Sequence, residues 1–213
     1  MLLVALLPLS SCTSAKVEEI RRLQARSSYE KALGNLEEKR VALGLAGLRE
    51  AVQLDPDNAI YRNALGVVLL DMGRAKDAEA EFRKAVSLDA SYAEAHNNLG
   101  LALAEQGRPE DAVASYRRAL SLPIYSTPEV AYSNLGYAYV RLSKPRDAEA
   151  AFRSAIQLSP RMIPAYYGLG VVMARWGRQE DARAAFKIAR DLDPASPFGQ
   201  WAVEALKVLG EPK

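Results

Sequence analysis

The chain has 213 residues, a formal net charge of +2 and 25% charged residues, long enough to bury one sizeable core. Its basic and acidic residues are interspersed, which excludes a dedicated nucleic-acid surface, because phosphate binding needs a concentrated basic stripe. One histidine and one cysteine exclude an internal disulfide and leave any histidine-based metal cluster or Cys–His dyad to rest on a single residue.

In chain order, the first feature is an apolar run from Met1 to Leu9 that ends in Leu9-Ser10-Ser11-Cys12. It is too short to span a bilayer and has the size of a signal-peptide hydrophobic region. Leu-Ser-Ser-Cys resembles the lipobox of bacterial lipoproteins. The resemblance implies a signal peptide over 1–11 and lipidation of Cys12. Thr13 rather than Asp follows the cysteine, which implies outer-membrane sorting. An anchor and lead helix is expected over 12–24. Ile20, Leu23, Tyr29, Ala32, Leu33 and Leu36 fall at helical spacing.

A repeat then takes over. Leu65-Gly66, Leu99-Gly100, Leu135-Gly136 and Leu169-Gly170 open the same pattern, with glycine steps of 34, 36 and 34 residues. Each glycine is followed by alanine (Ala78, Ala112, Ala148, Ala182), an aromatic (Phe82, Tyr116, Phe152, Phe186) and a second alanine (Ala85, Ala119, Ala155, Ala189). Small residues allow two helices to approach closely, and the aromatic fills the space that results. Gly73, Gly107 and Gly177 mark the turn inside a helix pair, and Asp55-Pro56, Ser159-Pro160 and Asp193-Pro194 end repeats. The pattern resembles the tetratricopeptide repeat. It predicts an all-α, right-handed superhelical solenoid of helix pairs over 25–196. The units are a degenerate one at about 25–58, then 59–92, 93–126, 129–162 and 163–196. A capping helix and tail follow over 197–213, with Trp201, Val203, Leu206 and Leu209 in its apolar face. In the degenerate unit Gly44, Leu48, Ala51 and Pro56 keep the second-helix spacing, while Lys31-Ala32 replaces Leu-Gly. The two extra residues of the longer step lie in Leu122–Glu129, whose two prolines predict an extended loop. Tyr125 and Pro128 are its candidate recognition residues.

Catalytic chemistry is hard to assemble from these residues. His96 stands where the next repeats carry Tyr132 and Tyr166, the place of a packing residue. Glu110-Asp111 and Glu180-Asp181 open second helices, where acidic groups suit the positive helix end. No glycine-rich phosphate loop follows a strand. The reading is a protein-binding module, not an enzyme, with no metal, cofactor, nucleic acid or small-molecule substrate. Positions two, five, nine and twelve of the first helices predict a groove. Its candidate contacts are Asn63, Val67, Leu70, Asn97, Leu101, Ser133, Tyr137, Val140, Tyr167 and Val171. Ile60, Glu94, Ala104, Val130, Pro164 and Ala174 complete the face.

The lipobox, the helical lead, about five repeats and the stretch Pro123–Tyr139 (PIYSTPEVAYSNLGYAY) together resemble the type IV pilus biogenesis and stability lipoproteins, the secretin pilotins. Membership implies binding of secretin subunits, promotion of their outer-membrane localisation and ring assembly, and a lipid anchor at the periplasmic face through Cys12. A repeat adaptor lipoprotein for peptidoglycan hydrolases or for outer-membrane protein assembly is one alternative, and a cytosolic repeat scaffold without a true signal peptide is the other.

Overall fold

A computed structural model describes residues 9–210, with side chains from residue 15 onward. The expected signal peptide falls largely outside the described residues, as do the Cys12 side chain and the tail beyond Gly210. Eleven helices and no strand occur among the described residues. They are α1 (Leu9–Glu37), α2 (Val41–Leu54), α3 (Ala59–Asp71), α4 (Ala75–Leu88), α5 (Ala93–Glu105), α6 (Pro109–Leu120), α7 (Pro128–Arg141), α8 (Pro145–Leu158), α9 (Ile163–Arg175), α10 (Gln179–Leu192) and α11 (Pro197–Val208). The chain divides into two compact units, one up to Asp89 and one from Ala90. In the first, α1 packs on α2, α2 on α3 and α3 on α4. In the second, α5 to α11 pack each on the next, and α7 and α9 also touch the first helices that follow them.

The lead segment and the first helix of the degenerate repeat form one uninterrupted helix across the boundary expected at 24/25. No glycine or proline lies between Leu9 and Leu33 to break it. Ion pairs one turn apart, Arg22 to Glu18 at 3.4 Å and Arg26 to Glu30 at 2.8 Å, support it along its exposed side. Further on, Asn58 caps α3 by accepting from the amides of Ile60 (3.0 Å) and Tyr61 (3.3 Å). Ser196 caps α11 through its Oγ, which accepts from Gly199 N at 3.2 Å.

The turns inside the pairs share one geometry. Gly73, Gly107 and Gly177 sit in the left-handed region, with φ of 74°, 73° and 72°. The arginine after each glycine donates to an aspartate in the first turn of the next helix: Arg74 to Asp77 (2.7 Å), Arg108 to Asp111 (2.8 Å), Arg178 to Asp181 (2.7 Å). The recurring Gly-Arg is therefore turn chemistry. In the α7–α8 turn Ser143 takes the glycine's place at φ 55°, where a Cβ is crowded by the backbone. Ser143→Gly is expected to stabilise the second unit by about 0.5–1 kcal/mol. Urea denaturation followed by far-UV circular dichroism would show a higher midpoint; a lower one would contradict the strain.

The core follows the repeat. Phe82, Tyr116, Phe152 and Phe186 are buried, each against the glycine of its own pair. A Cβ on Gly66, Gly100 or Gly170 would stand 2.6 Å from a ring carbon of Phe82, Tyr116 or Phe186, respectively, closer than real contacts allow. The degenerate pair reaches the same closeness by another route. Leu48, fully buried, stands at the aromatic position, and Ala32 at the glycine position. The glycines have moved to α2, where a Cβ on Gly47 would meet Ala32 Cβ at 2.9 Å. At the other end α11 begins in the register of a new repeat, but Glu204 occupies the glycine position and pairs with Lys207 at 2.6 Å. That puts a charged side chain where the other pairs approach closely, and α11 packs on α9 and α10.

Candidate functional site

The predicted groove positions divide sharply by environment. In the first unit α3 presents Ile60 (52% exposed) and Val67 (36% exposed), with Asn63 and Leu70 half-buried beside them. Leu33, at the equivalent of the Val67 position on α1, is also exposed. Tyr29 of α1 stacks on Tyr61 of α3 with ring centroids 4.8 Å apart, fixing these two first helices side by side.

In the second unit the same positions are largely consumed by the fold. Asn97 and Ser133 are buried, 6% and 2% exposed, so neither presents a polar point to a partner. Asn134 Nδ2 donates to Asn97 Oδ1 at 3.2 Å, linking α7 to α5. Leu101, Val140 and Val171 are half-buried, and so are Glu94, Val130, Pro164 and Ala174; Ala104 is buried. Tyr137 and Tyr167 are held in an aromatic cluster. The Tyr137 hydroxyl donates to the Pro164 carbonyl at 2.6 Å, and its ring meets Phe152 edge-on at 5.0 Å. Phe198 and Trp201 of α11 close over both tyrosines. Phe198 lies 6.3 Å from Tyr137 and 5.8 Å from Tyr167, and Trp201 lies 5.8 Å from Tyr167.

The physical reason is that successive first helices touch. Positions two and five of one helix then rest on positions five and nine of the one before it. Phe198 and Trp201 are the two site-forming residues that the sequence reading placed only in a cap. The signal was present, since they stand at positions two and five of a repeat that would begin at Pro197.

The insertion loop is fastened down rather than presented through the expected residues. Ser126 Oγ donates to Glu94 Oε1 at 2.7 Å, and Pro128 is the first residue of α7. The Tyr125 ring turns inward, and its hydroxyl is enclosed near Thr127. Ile124, at 85% exposed, is the side chain the loop offers to solvent. His96 is half-buried, with Nε2 3.2 Å from the Ala90 carbonyl. Among the described residues no cluster of His, Cys, Asp or Glu could hold a metal ion, and no helix is long and apolar enough to cross a membrane.

Burial sets the ionisation of three tyrosines of the second unit. It raises the pKa of Tyr116 and Tyr137 and pushes that of Tyr125 up to about 12. An unfolded tyrosine titrates near pH 10, so these phenols stay neutral in the folded chain at a pH that ionises them when it is unfolded. Their contribution to stability is intact below about pH 10 and is lost as pH rises above it, through about 12 for Tyr125. Absorbance titration is expected to show a late-ionising fraction whose release coincides with loss of helical signal. Uniform ionisation of all tyrosines near pH 10 would contradict it.

A tetratricopeptide-repeat family model matches residues 29–93, 63–127 and 133–197, well over half of the chain. The chain belongs to the tetratricopeptide-repeat family. A tetratricopeptide-repeat array is a protein-interaction scaffold. No curated protein matches the sequence. Among solved structures, the array resembles PilW, a widely conserved type IV pilus biogenesis factor. The TM-score is 0.78 and the identity 23%, over 86% of each chain. PilF of Pseudomonas aeruginosa gives 0.75 and 23%, over 88% of this chain and 86% of that one. YrrB, a tetratricopeptide-repeat protein with an unusual peptide-binding site, gives 0.67 and 22%, over 91% and 97%. Identities this low establish a shared fold.

Proposed function

We propose that this chain is an outer-membrane lipoprotein that acts as a pilotin, binding type IV pilus secretin subunits and promoting their localisation and ring assembly. The observation that carries capture of a protein segment is the open apolar face of α3, where Ile60 and Val67 flank Asn63. Two exposed apolar side chains two helical turns apart suit the apolar face of a bound segment. The choice of a secretin as partner rests on the Tyr125–Gly136 stretch and on the likeness of fold to PilW and PilF.

The chain works by binding alone. A lipid on Cys12 would confine it to the periplasmic face of the outer membrane, and confinement raises the effective concentration of a partner that must reach the same surface. The test is a pull-down from detergent-solubilised envelopes with the full-length protein, read by mass spectrometry. A secretin as the dominant partner is expected. A murein hydrolase or an outer-membrane assembly protein in its place would move the chain to the class of adaptor lipoproteins.

A further inference from the structure

We propose a second docking site, at the corner where the α7–α8 turn meets the end of α9, that takes an acidic peptide segment through one large apolar side chain. A slot of about 140 Å³ opens there between Val140, Pro145, Val172 and Trp176, with Lys144 and Arg175 at its rim. That is room for a single side chain; small-molecule pockets run from about 300 Å³ upward. Trp176, 37% exposed, forms a wall of the slot and remains partly open to solvent.

The charge around the slot departs from the repeat. The place of Arg175 is held by Asp71 and Glu105 in the first two full repeats, and by Arg141 in the third. Arg141 is engaged, donating to the Ala104 carbonyl at 2.5 Å. The place of Lys144 is held elsewhere by Arg74, Arg108 and Arg178, each bonded to an aspartate three residues on. Asp147 stands at that spacing after Lys144, but no such pair forms; Asp147 lines a different furrow, with Arg117 and Tyr132.

Lys144 and Arg175 are thus exposed cations with no carboxylate partner among the described residues. Arg175, in the last turn of α9, suits the negative end of that helix. Lys144 precedes the first turn of α8, where a cation without its aspartate is unfavourable. Two uncompensated cations at an apolar slot complement an acidic segment carrying one aliphatic or aromatic side chain. A bilayer engages side chains that protrude from a protein and not a recess one side chain wide, so the occupant is a peptide.

The test uses the full chain and a short fluorescein-labelled peptide, Gly-Asp-Asp-Leu-Asp-Asp-Gly, followed by fluorescence anisotropy. Trp201→Phe leaves Trp176 as the only tryptophan, so its emission reports whether the slot is filled. Saturable binding with a change in Trp176 emission is expected. It should weaken about tenfold or more for the Lys144→Glu/Arg175→Glu variant, and equally for peptides with Gly in place of Leu or Asn in place of Asp. Both substituted positions are exposed, so helical content should be unchanged. The proposal is overturned if the peptide does not bind or if the charge-reversed variant binds it as well. It is also overturned if the chain floats with phosphatidylglycerol vesicles through these cations and ignores the peptide.

Discussion

Phe152→Ala is expected to be among the most damaging single substitutions in the second unit, costing about 3–5 kcal/mol. Phe152 is fully buried and wedged between two glycines on different helices. A Cβ on Gly136 of α7 or on Gly168 of α9 would stand 2.5 Å from its Cε1. The ring therefore serves its own pair and joins it to the next, and its edge-on contact with Tyr137 extends the join towards α11. Truncation leaves a cavity the size of the ring, and the flanking glycines have no side chains to fill it. Because each repeat is held mainly by its neighbours, the loss should release α9 to α11 together. Urea denaturation by circular dichroism, with hydrogen exchange resolving α9 to α11, measures this. A loss under about 1 kcal/mol would mean that the ring is not the join. Gly168→Leu should damage the same place from the other side, by overpacking.

The largest effect on binding is expected from Ile60→Asp combined with Val67→Asp. Both side chains are exposed in the free protein, so the fold should be retained. In the proposed complex both are covered. Each substitution then removes an apolar anchor and buries a carboxylate, together about 3–4 kcal/mol, a weakening of a hundredfold or more in Kd. Titration of the purified secretin fragment recovered in the pull-down, by calorimetry, gives the number. Ile188→Asp on α10 is the control: it is exposed and apolar but lies off the first-helix face, and it should bind like the parent chain. Equal binding by the double variant would remove α3 from the site.

Much of the fold was legible in the sequence because its determinants are local and repeated. A glycine, an alanine, an aromatic and a second alanine at fixed spacing specify close helix pairs wherever they occur, and Gly73, Gly107 and Gly177 fall in the one backbone region that favours glycine. The degenerate unit was harder, because Leu48 and Ala32 keep the total volume of the contact while exchanging its parts between helices. The site was less legible. Periodicity says which residues share a face, but not which neighbour lies on that face. Asn97 and Ser133 hold the same repeat position as Asn63, yet both are buried in the second unit. Tyr137 and Tyr167 fall on the same face by period, but Phe198 and Trp201 of α11 lie over them, a contact that periodicity within one helix does not state. Tyr125 turned inward for a similar reason: an extended loop does not by itself state which of its side chains faces the core.

The central claim is that the face of α3 captures a secretin subunit at the outer membrane. Its most direct test is photo-crosslinking in intact envelopes, with a benzophenone amino acid at position 67 and, separately, at position 188. The account predicts a secretin adduct from position 67 and none from position 188. An adduct with a different envelope protein from position 67, or a secretin adduct only from position 188, would contradict it.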